Sequence, residues 1–222
     1  MPEDVVVVGA GGFGRETLDV IEAINDAGPE PVWNIVGVVD DGPAEIQLER
    51  LRDRGVAMLG GLDAYRSMAL TTRFVVGIGS PRARARIAAS LEEWGGRAAT
   101  LVHPAAVVGA RAVVGAGVVI CGGVQVSTNV VLGEHVHLNP GAIIGHDAVL
   151  ESCVSVNPGA IVSGEVRVGR ESLIGAGAVV LQNLAVGEEA IVGASACVTK
   201  NVASRGTVAG VPARLLGRDG NA

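Results

Sequence analysis

The sequence predicts an α/β plus β architecture, in which a small parallel α/β domain is followed by a parallel β-helix. Two observations support this fold class. Up to about residue 100, short apolar runs alternate with segments of helical spacing, and from residue 108 a branched aliphatic residue recurs every six positions. We therefore predict two domains, at residues 1–100 and 101–222.

The composition suits aliphatic cores and many tight corners. Of the 222 residues, 49% are hydrophobic but only 2% are aromatic, and 33 are glycine. The net charge of −6 and the lack of a Lys/Arg-rich run argue against a nucleic-acid partner. The apolar run Val5–Ala10 is too short to span a bilayer and has no signal-peptide pattern, so we expect a cytoplasmic protein without a membrane partner.

The three cysteines are not expected to form a cross-link or a metal site. Cys121, Cys153 and Cys197 are widely separated, odd in number and without a C-x-x-C pattern. Neither a disulfide framework nor a zinc ribbon is therefore indicated, and the pattern favours simple packed thiols.

The first domain reads as alternating strands and helices, which indicates a parallel sheet with helices on its faces. The expected order is strand Asp4–Gly9, helix Phe13–Ala27, strand Trp33–Val39, helix Glu45–Arg54, strand Val56–Leu59, helix Leu62–Met68, strand Phe74–Ile78 and helix Pro81–Trp94.

The first strand is followed by the turn Gly9–Arg15, which matches G-x-G-x-x-G between a strand and a helix. Such a turn can present backbone N–H groups to a phosphate, although a glycine turn chosen only for packing remains open. A nicotinamide dehydrogenase would share this motif but would leave the six-residue repeat unexplained.

Other strand ends point to the same edge of the sheet. Asp40 and Asp41 end the second strand, where their carboxylates could accept hydrogen bonds from a ribose or a base. Gly79 lies after the fourth strand, and Arg82 or Arg86 beyond it could neutralise a diphosphate. A solvated helix face explains these arginines equally well.

The six-residue repeat predicts a triangular parallel β-helix with about 18 residues per coil. A buried aliphatic row is expected at Val108, Val114, Ile120, Val126, Leu132, Leu138, Ile144, Leu150, Val156, Val162, Val168, Ile174, Val180, Val186, Val192 and Val198. Residues 202–216 are expected to cap the last coil.

His146 and Asp147 stand out from this repeat, because an imidazole is followed directly by a carboxylate at two outward positions that the aliphatic interior does not need. An imidazole beside a carboxylate can serve as a base near neutral pH. An ordinary surface histidine is the alternative. His103 is expected to be structural, and a zinc site that includes His135 and His137 is disfavoured because those residues lie on another face, so no metal is expected.

Taken together, the chain resembles the two-domain left-handed β-helix acyltransferases that N-acetylate nucleotide-linked amino sugars. These include bacillosamine- and perosamine-type enzymes, with the sialic acid O-acetyltransferases as relatives. The resemblance rests on the Gly9–Arg15 turn, the hexads, Asn139 seven residues before His146, the pair His146-Asp147, and the ending Gly210-Val211-Pro212-Ala213-Arg214. It implies a Rossmann-like first domain and a homotrimer with acetyl-CoA bound between neighbouring subunits.

The resemblance also implies residue roles. His146 would be the general base, Asp147 would orient it, and Asn139 would help to hold the amino sugar. The residues expected to bind the nucleotide are Gly9, Gly11, Gly12, Phe13, Gly14, Arg15, Asp40, Asp41, Gly79 and Arg86. The residues expected near CoA are Ser155, Gly164, Gly175, Ala176, Lys200, Arg205 and Arg214.

One position departs from the family pattern. Several family members carry a second histidine nine residues after the catalytic one, where this chain has Ser155. Any role of that histidine would fall to the serine hydroxyl or to a backbone amide. O-acetylation of a sugar, another acyl-CoA donor and a non-catalytic nucleotide-binding solenoid remain alternatives.

Overall fold

A computed structural model describes residues 1–216, and the chain divides into two compact units. The first comprises Met1–Pro104 and Ala116–Val119, and the second comprises Ala105–Gly115 and the residues from Ile120 onward. The last six residues of the predicted second domain, 217–222, lie outside the described part of the chain.

The first unit contains a five-stranded parallel sheet with the strand order β3-β2-β1-β4-β5. This is the Rossmann order, so the predicted fold class of this half is confirmed. The elements are β1 Glu3–Val8, α1 Gly12–Asp26, β2 Trp33–Val39, α2 Glu45–Asp53, β3 Met58–Gly60, α3 Leu62–Arg66, β4 Arg73–Val76, α4 Pro81–Glu93, β5 Arg97–Ala98 and β6 Leu101–Val102.

The predicted elements agree with these bounds to within about two residues, except that β5 and β6 were not predicted. β5 has only two residues and little apolar pattern, so its place in the sheet comes from pairing with β4. The sheet core is a continuous aliphatic run in β1 that packs with Phe74 of β4, as expected for strands covered on both faces. Tyr65 adds an edge-to-face ring contact with Phe74 at 5.8 Å.

The second unit is built of two-residue strands that repeat every six residues. They are β7 Val107–Val108, β8 Val113–Val114, β9 Val119–Ile120, β10 Gln125–Val126, β11 Val131–Leu132, β12 His137–Leu138, β13 Ile143–Ile144, β14 Val149–Leu150, β15 Ser155–Val156, β16 Ile161–Val162, β17 Arg167–Val168, β18 Leu173–Ile174, β19 Val179–Val180, β20 Ala185–Val186, β21 Ile191–Val192 and β22 Cys197–Val198.

Each strand pairs in parallel with the strand 18 residues away; Ile143, for example, lies between Gln125 and Ile161. The second residue of every strand is the predicted aliphatic position, and from Ile120 onward all of these are buried. The predicted parallel β-helix and its register are therefore confirmed.

The corners of the coils are two-residue turns. From Gly117 to Ser195, the second residue of every turn has a positive φ, whether or not it is glycine. Asn and Asp tolerate this left-handed conformation better than most residues. The last strands, β23 Thr207–Ala209 and β24 Arg214–Leu215, are antiparallel to each other, and β23 pairs with β21 at the end of the β-helix.

None of the helices described within residues 1–216 is long and apolar enough to cross a membrane.

Candidate active site

His146 and Asp147 form the turn between β13 and β14. Their side chains are 59% and 46% exposed, so both point away from the aliphatic interior, as the register predicts. Asp147 is the left-handed residue of the turn, with φ +60°. The turn therefore places an imidazole and a carboxylate side by side on an exposed corner.

The imidazole Nδ1 of His146 lies 2.7 Å from Oδ2 of Asp147. A carboxylate only accepts hydrogen bonds, so Nδ1 carries the proton in this pair. In the neutral imidazole the other nitrogen, Nε2, then has the free lone pair. The arrangement thus offers Nε2 as a proton acceptor, with a carboxylate placed to stabilise the charged ring.

Asn129 holds the other oxygen of the same carboxylate. It lies 18 residues before Asp147, in the equivalent turn of the preceding coil, and its Nδ2 donates to Asp147 Oδ1 at 2.9 Å. The Asn129 amide first, and the His146 imidazole second, hold the pKa of the Asp147 carboxyl below its ordinary value. Asn129 was not predicted from the sequence, although it lies one coil, or 18 residues, before Asp147.

Gly164 takes the place equivalent to His146 on the following coil. A methyl group on its Cα would lie 2.7 Å from both Cε1 and Nε2 of His146. The N–H of Glu165 donates to the His146 carbonyl at 2.8 Å, which fixes the two turns against each other. Gly164 was predicted to contact CoA; the structure places it against the imidazole.

Asn139 and His146 lie at opposite ends of β13, in neighbouring turns of one coil. Asn139 is only 8% exposed, and its amide donates to the Val156 carbonyl at 3.0 Å and to Oδ1 of Asn157 at 3.3 Å. The chain therefore does not bring Asn139 to the same corner as His146.

Ser155 lies on β15 beside His137 of β12, and both side chains are buried. His135, in the turn before β12, is buried as well. Within residues 1–216, no three His, Cys, Asp or Glu side chains lie close enough together to hold a metal ion.

The Gly9–Arg15 turn connects β1 to α1, and Gly11 precedes the first helical residue. A Cβ on Gly14 would overlap the Gly9 carbonyl oxygen, and one on Gly77 would lie 2.6 Å from the Gly14 Cα. Arg15 folds back so that Nη1 donates to the Ala10 carbonyl at 2.9 Å. Close packing therefore explains Gly14, while the start of α1 keeps the geometry of an anion site.

Both predicted carboxylates lie at this edge of the sheet. Asp40 Oδ2 accepts from the Ala10 N–H at 2.8 Å, and Asp41 Oδ1 accepts from the Leu62 N–H at 2.8 Å. They border a cavity of about 180 Å³ that is lined by Val8, Gly9, Val39, Asp40, Asp41, Leu62, Ile78 and Ile87. The structure thus gathers the ends of β1, β2 and β4 around one small cavity.

The arginines of α4 divide into two kinds. Arg84 is fully buried, and its Nη1 donates to the Ile78 carbonyl at 2.8 Å, so it fixes the turn after β4. Arg82 and Arg86 are exposed on the helix. Gly79 has open space where a side chain would stand. The contact of Arg84 with the turn thus leaves Arg82 and Arg86 as the candidates for a diphosphate, as the sequence predicts.

The residues predicted near CoA are spread along the last coils. Gly175 and Ala176 follow β18, and a Cβ on Gly175 would lie 2.6 Å from the Ala194 nitrogen. Lys200 and Arg214 line a cavity of about 340 Å³ near the end of the β-helix. Arg205 borders a different cavity, of about 510 Å³, and pairs with Glu189 at 3.1 Å.

The N-terminal part of the chain is similar to a known protein family. The family model described as PglD N-terminal domain matches residues 4–91. No curated protein sequence matches the chain significantly.

Solved structures match over nearly the full length. The acetyltransferase domain of PglB from Neisseria gonorrhoeae, in complex with acetyl coenzyme A, is 30% identical over 97% of this chain and 100% of that one, with a TM-score of 0.84. A histidine-to-asparagine mutant of perosamine N-acetyltransferase from Caulobacter crescentus, in complex with CoA and GDP-perosamine, is 28% identical, with coverages of 96% and 97% and a TM-score of 0.83. WeeI from Acinetobacter baumannii is 26% identical, with coverages of 96% and 100% and a TM-score of 0.82.

The structure of this chain is thus similar to those of acetyltransferases along almost its whole length. This chain is an acyltransferase of the left-handed β-helix family that contains the perosamine- and bacillosamine-type N-acetyltransferases.

Proposed function

We propose that the protein transfers the acetyl group of acetyl-CoA to the amine of a nucleotide-linked 4-amino-4,6-dideoxy sugar, with His146 as the general base. The observation that carries this proposal is the exposed imidazole whose Nδ1 is bound by Asp147, which leaves Nε2 as the acceptor. Relatives of the same length bind acetyl-CoA in one case and CoA with GDP-perosamine in another.

The proposed reaction is direct transfer. The neutral amine of the sugar attacks the thioester carbonyl, and a C–N bond forms as the carbonyl becomes tetrahedral. Nε2 of His146 takes the proton that the amine nitrogen must lose, and Asp147 stabilises the imidazolium. The C–S bond then breaks, and the proton passes to the leaving CoA sulfur. No acetyl-enzyme forms.

Two binding regions support this chemistry. The Gly9–Arg15 turn, Asp40, Asp41, Gly79 and Arg86 would hold the nucleotide diphosphate at the carboxyl edge of the sheet. On the β-helix, CoA would contact Ser155, Gly175, Ala176, Lys200, Arg205 and Arg214, whereas Gly164, which the sequence also predicted near CoA, lies against His146 instead. Of these, Lys200 and Arg214 already border one cavity. We also propose that the protein acts in the cytoplasm.

A homotrimer of parallel β-helices is part of the same proposal. Asn139 precedes β13 and His146 follows it, and in this proposal Asn139 of a neighbouring chain would complete the site at His146. Exposed Val107 and Ile143 on one face, and Val113 and Val131 on another, supply apolar surface for such contacts. Sedimentation of the purified protein tests this part, and a monomeric protein with full activity would contradict it.

The activity test uses a panel of UDP-, GDP- and dTDP-linked amino sugars with acetyl-CoA, and mass spectrometry to detect a gain of one acetyl group. Hydroxylamine then separates the alternatives, because it cleaves an O-acetyl ester and leaves an N-acetyl amide intact. We expect a resistant product from at least one 4-amino sugar. Nucleotide binding without any acetyl-CoA binding in thermal-shift measurements would instead favour a non-catalytic solenoid.

A further inference from the structure

We propose that the His146 base is positioned from both neighbouring coils: Asn129 fixes the Asp147 carboxylate from one side, and Gly164 leaves the space in which the imidazole rests on the other. This inference rests on the proposed function and deepens it. Asn129, Asp147 and Glu165 are the left-handed residues of three successive turns at one corner of the β-helix, spaced 18 residues apart.

Asn129 acts on the orientation of the carboxylate. An exposed aspartate is ordinarily free to change rotamer, but here its two oxygens have different donors, Asn129 Nδ2 on Oδ1 and His146 Nδ1 on Oδ2. The Asp147 N–H also donates to the Thr128 carbonyl at 3.1 Å, so the whole turn is tied to the coil that carries Asn129. Together these bonds set the plane of the carboxylate and, through it, the plane of the imidazole.

A backbone role alone does not explain the Asn129 side chain. Asn183 occupies the same corner two coils beyond Asp147 and has φ +60°, close to the +58° of Asn129. Within residues 1–216 the side chain of Asn183 makes no hydrogen bond, so it meets the conformational need without any carboxylate contact. Comparing Asn129 with Asn183 therefore distinguishes the preference of asparagine for a positive φ from the hydrogen bond that the Asn129 amide donates to Asp147.

Gly164 acts on the imidazole itself. Its φ lies outside the left-handed region, so an alanine suits the backbone there. A methyl group would nevertheless meet the ring 2.7 Å from Cε1 and from Nε2. Because those atoms end a side chain that can rotate, the ring would move while the coil stays in place. Glycine at this position therefore protects the placement of the base.

The Asn129 test compares Asn129→Gly with Asn183→Gly, because glycine accepts the positive φ at both sites without strain. Loss of one orienting contact is expected to lower kcat by about 10- to 100-fold in Asn129→Gly, with KM for both substrates nearly unchanged. Asn183→Gly is expected to retain the wild-type kcat. Carbon-detected NMR should show the pKa of the Asp147 carboxyl moving up toward its ordinary value in Asn129→Gly only.

Asn129→Asp extends this test by replacing a donor with a second carboxylate, and it should raise the pKa of Asp147 further. An unchanged kcat together with an unchanged Asp147 titration in Asn129→Gly would overturn the role of Asn129. The titration needs no substrate. It therefore tests the contact between Asn129 and Asp147 even if wild-type protein acetylates none of the sugars, a result that would count against the proposed function alone.

The Gly164 test is the Gly164→Ala variant. Displacing the base by about an ångström is expected to lower kcat by roughly 100-fold, while the Kd for CoA stays within about twofold of wild type. In a His146→Ala background the same substitution should cause no further loss, because the ring that it displaces is gone. Weaker CoA binding with normal kcat would overturn the proposed role and make Gly164 a CoA contact instead.

Discussion

His146 draws its proposed role from three consecutive coils of the β-helix. Asp147 in the same turn binds Nδ1, Asn129 one coil earlier binds Asp147, and Gly164 one coil later receives the ring. From the sequence alone, the outward position of His146 and its acidic neighbour could be inferred. The two supports could not, since each depends on which turns stack at one corner.

Substituting Asp147 tests whether the carboxylate matters by its charge. Asp147→Asn keeps the size of the side chain but can no longer stabilise an imidazolium, and its amide can face the wrong imidazole nitrogen. We expect kcat to fall by about 100-fold or more while KM changes little, as seen when the acid of a catalytic triad is replaced. Steady-state kinetics at pH 7.5 measures this. A rise confined to KM would assign Asp147 to substrate binding.

The free energy of unfolding should depend on pH through the titration of Asp147. Because its pKa is lower in the folded chain than in the unfolded chain, the unfolded state takes up the proton first as the pH falls. The contribution of this group is therefore complete above about pH 4, the ordinary aspartate pKa, and is lost as the pH drops through the lower folded value. Urea unfolding of wild type and Asp147→Asn measures this.

The stability difference between the two proteins should shrink as the pH falls below about 4, where His146 is already charged and only the carboxyl still titrates. A difference that grows as the pH falls below about 4 would mean that the folded carboxyl is not favoured as an anion.

At the scale of elements, the period of six fixes which side of each strand faces inward. Ile144 is fully buried and its neighbour Ile143 is 40% exposed, although both are isoleucines on β13. Ile144→Ala should cost about 2–5 kcal/mol of unfolding free energy, while Ile191→Ala, at the outward position of β21 and 45% exposed, should cost well under half as much. Chemical denaturation of both variants provides the comparison. Equal losses would contradict the register.

The first turn of the sheet is a second element whose packing can be tested. Gly14→Ala would push a methyl group into the Gly9 carbonyl oxygen, and we expect a loss of about 1–3 kcal/mol. Gly42→Ala is the matched control, because nothing lies near its missing side chain and its φ is not positive. Urea midpoints should differ between the two. Full stability of Gly14→Ala would contradict the packing role of this glycine.

The elements that sequence reasoning placed well are those with a strong period. The helices and the longer strands of the first unit, and every hexad strand from Val107 to Val198, follow directly from apolar spacing. The two-residue β5 has no such signal and depends on β4. Arg84 shows the same limit at a single residue. An arginine among other arginines on a helix is expected to be exposed, and only the structure shows that Arg84 is buried against the turn after β4.

For the molecule as a whole, the two proposed binding regions lie on elements of different kinds. The parallel strands end in backbone and carboxylate groups where we propose that a nucleotide binds, and the rigid coils carry the proposed base on an exposed corner. The periodic patterns of the sequence predicted the two scaffolds, whereas the roles of the residues on them stay predictions. The proposed use of a second chain is motivated by the positions of Asn139 and His146 before and after β13.

The most direct test of the account is the single-turnover rate of amide formation with the sugar nucleotide that wild-type protein accepts, compared between wild type and His146→Ala. Loss of the general base should slow this rate by about 10²- to 10⁴-fold while binding of both substrates persists. A His146→Ala protein that acetylates the sugar at the wild-type rate would contradict the central claim.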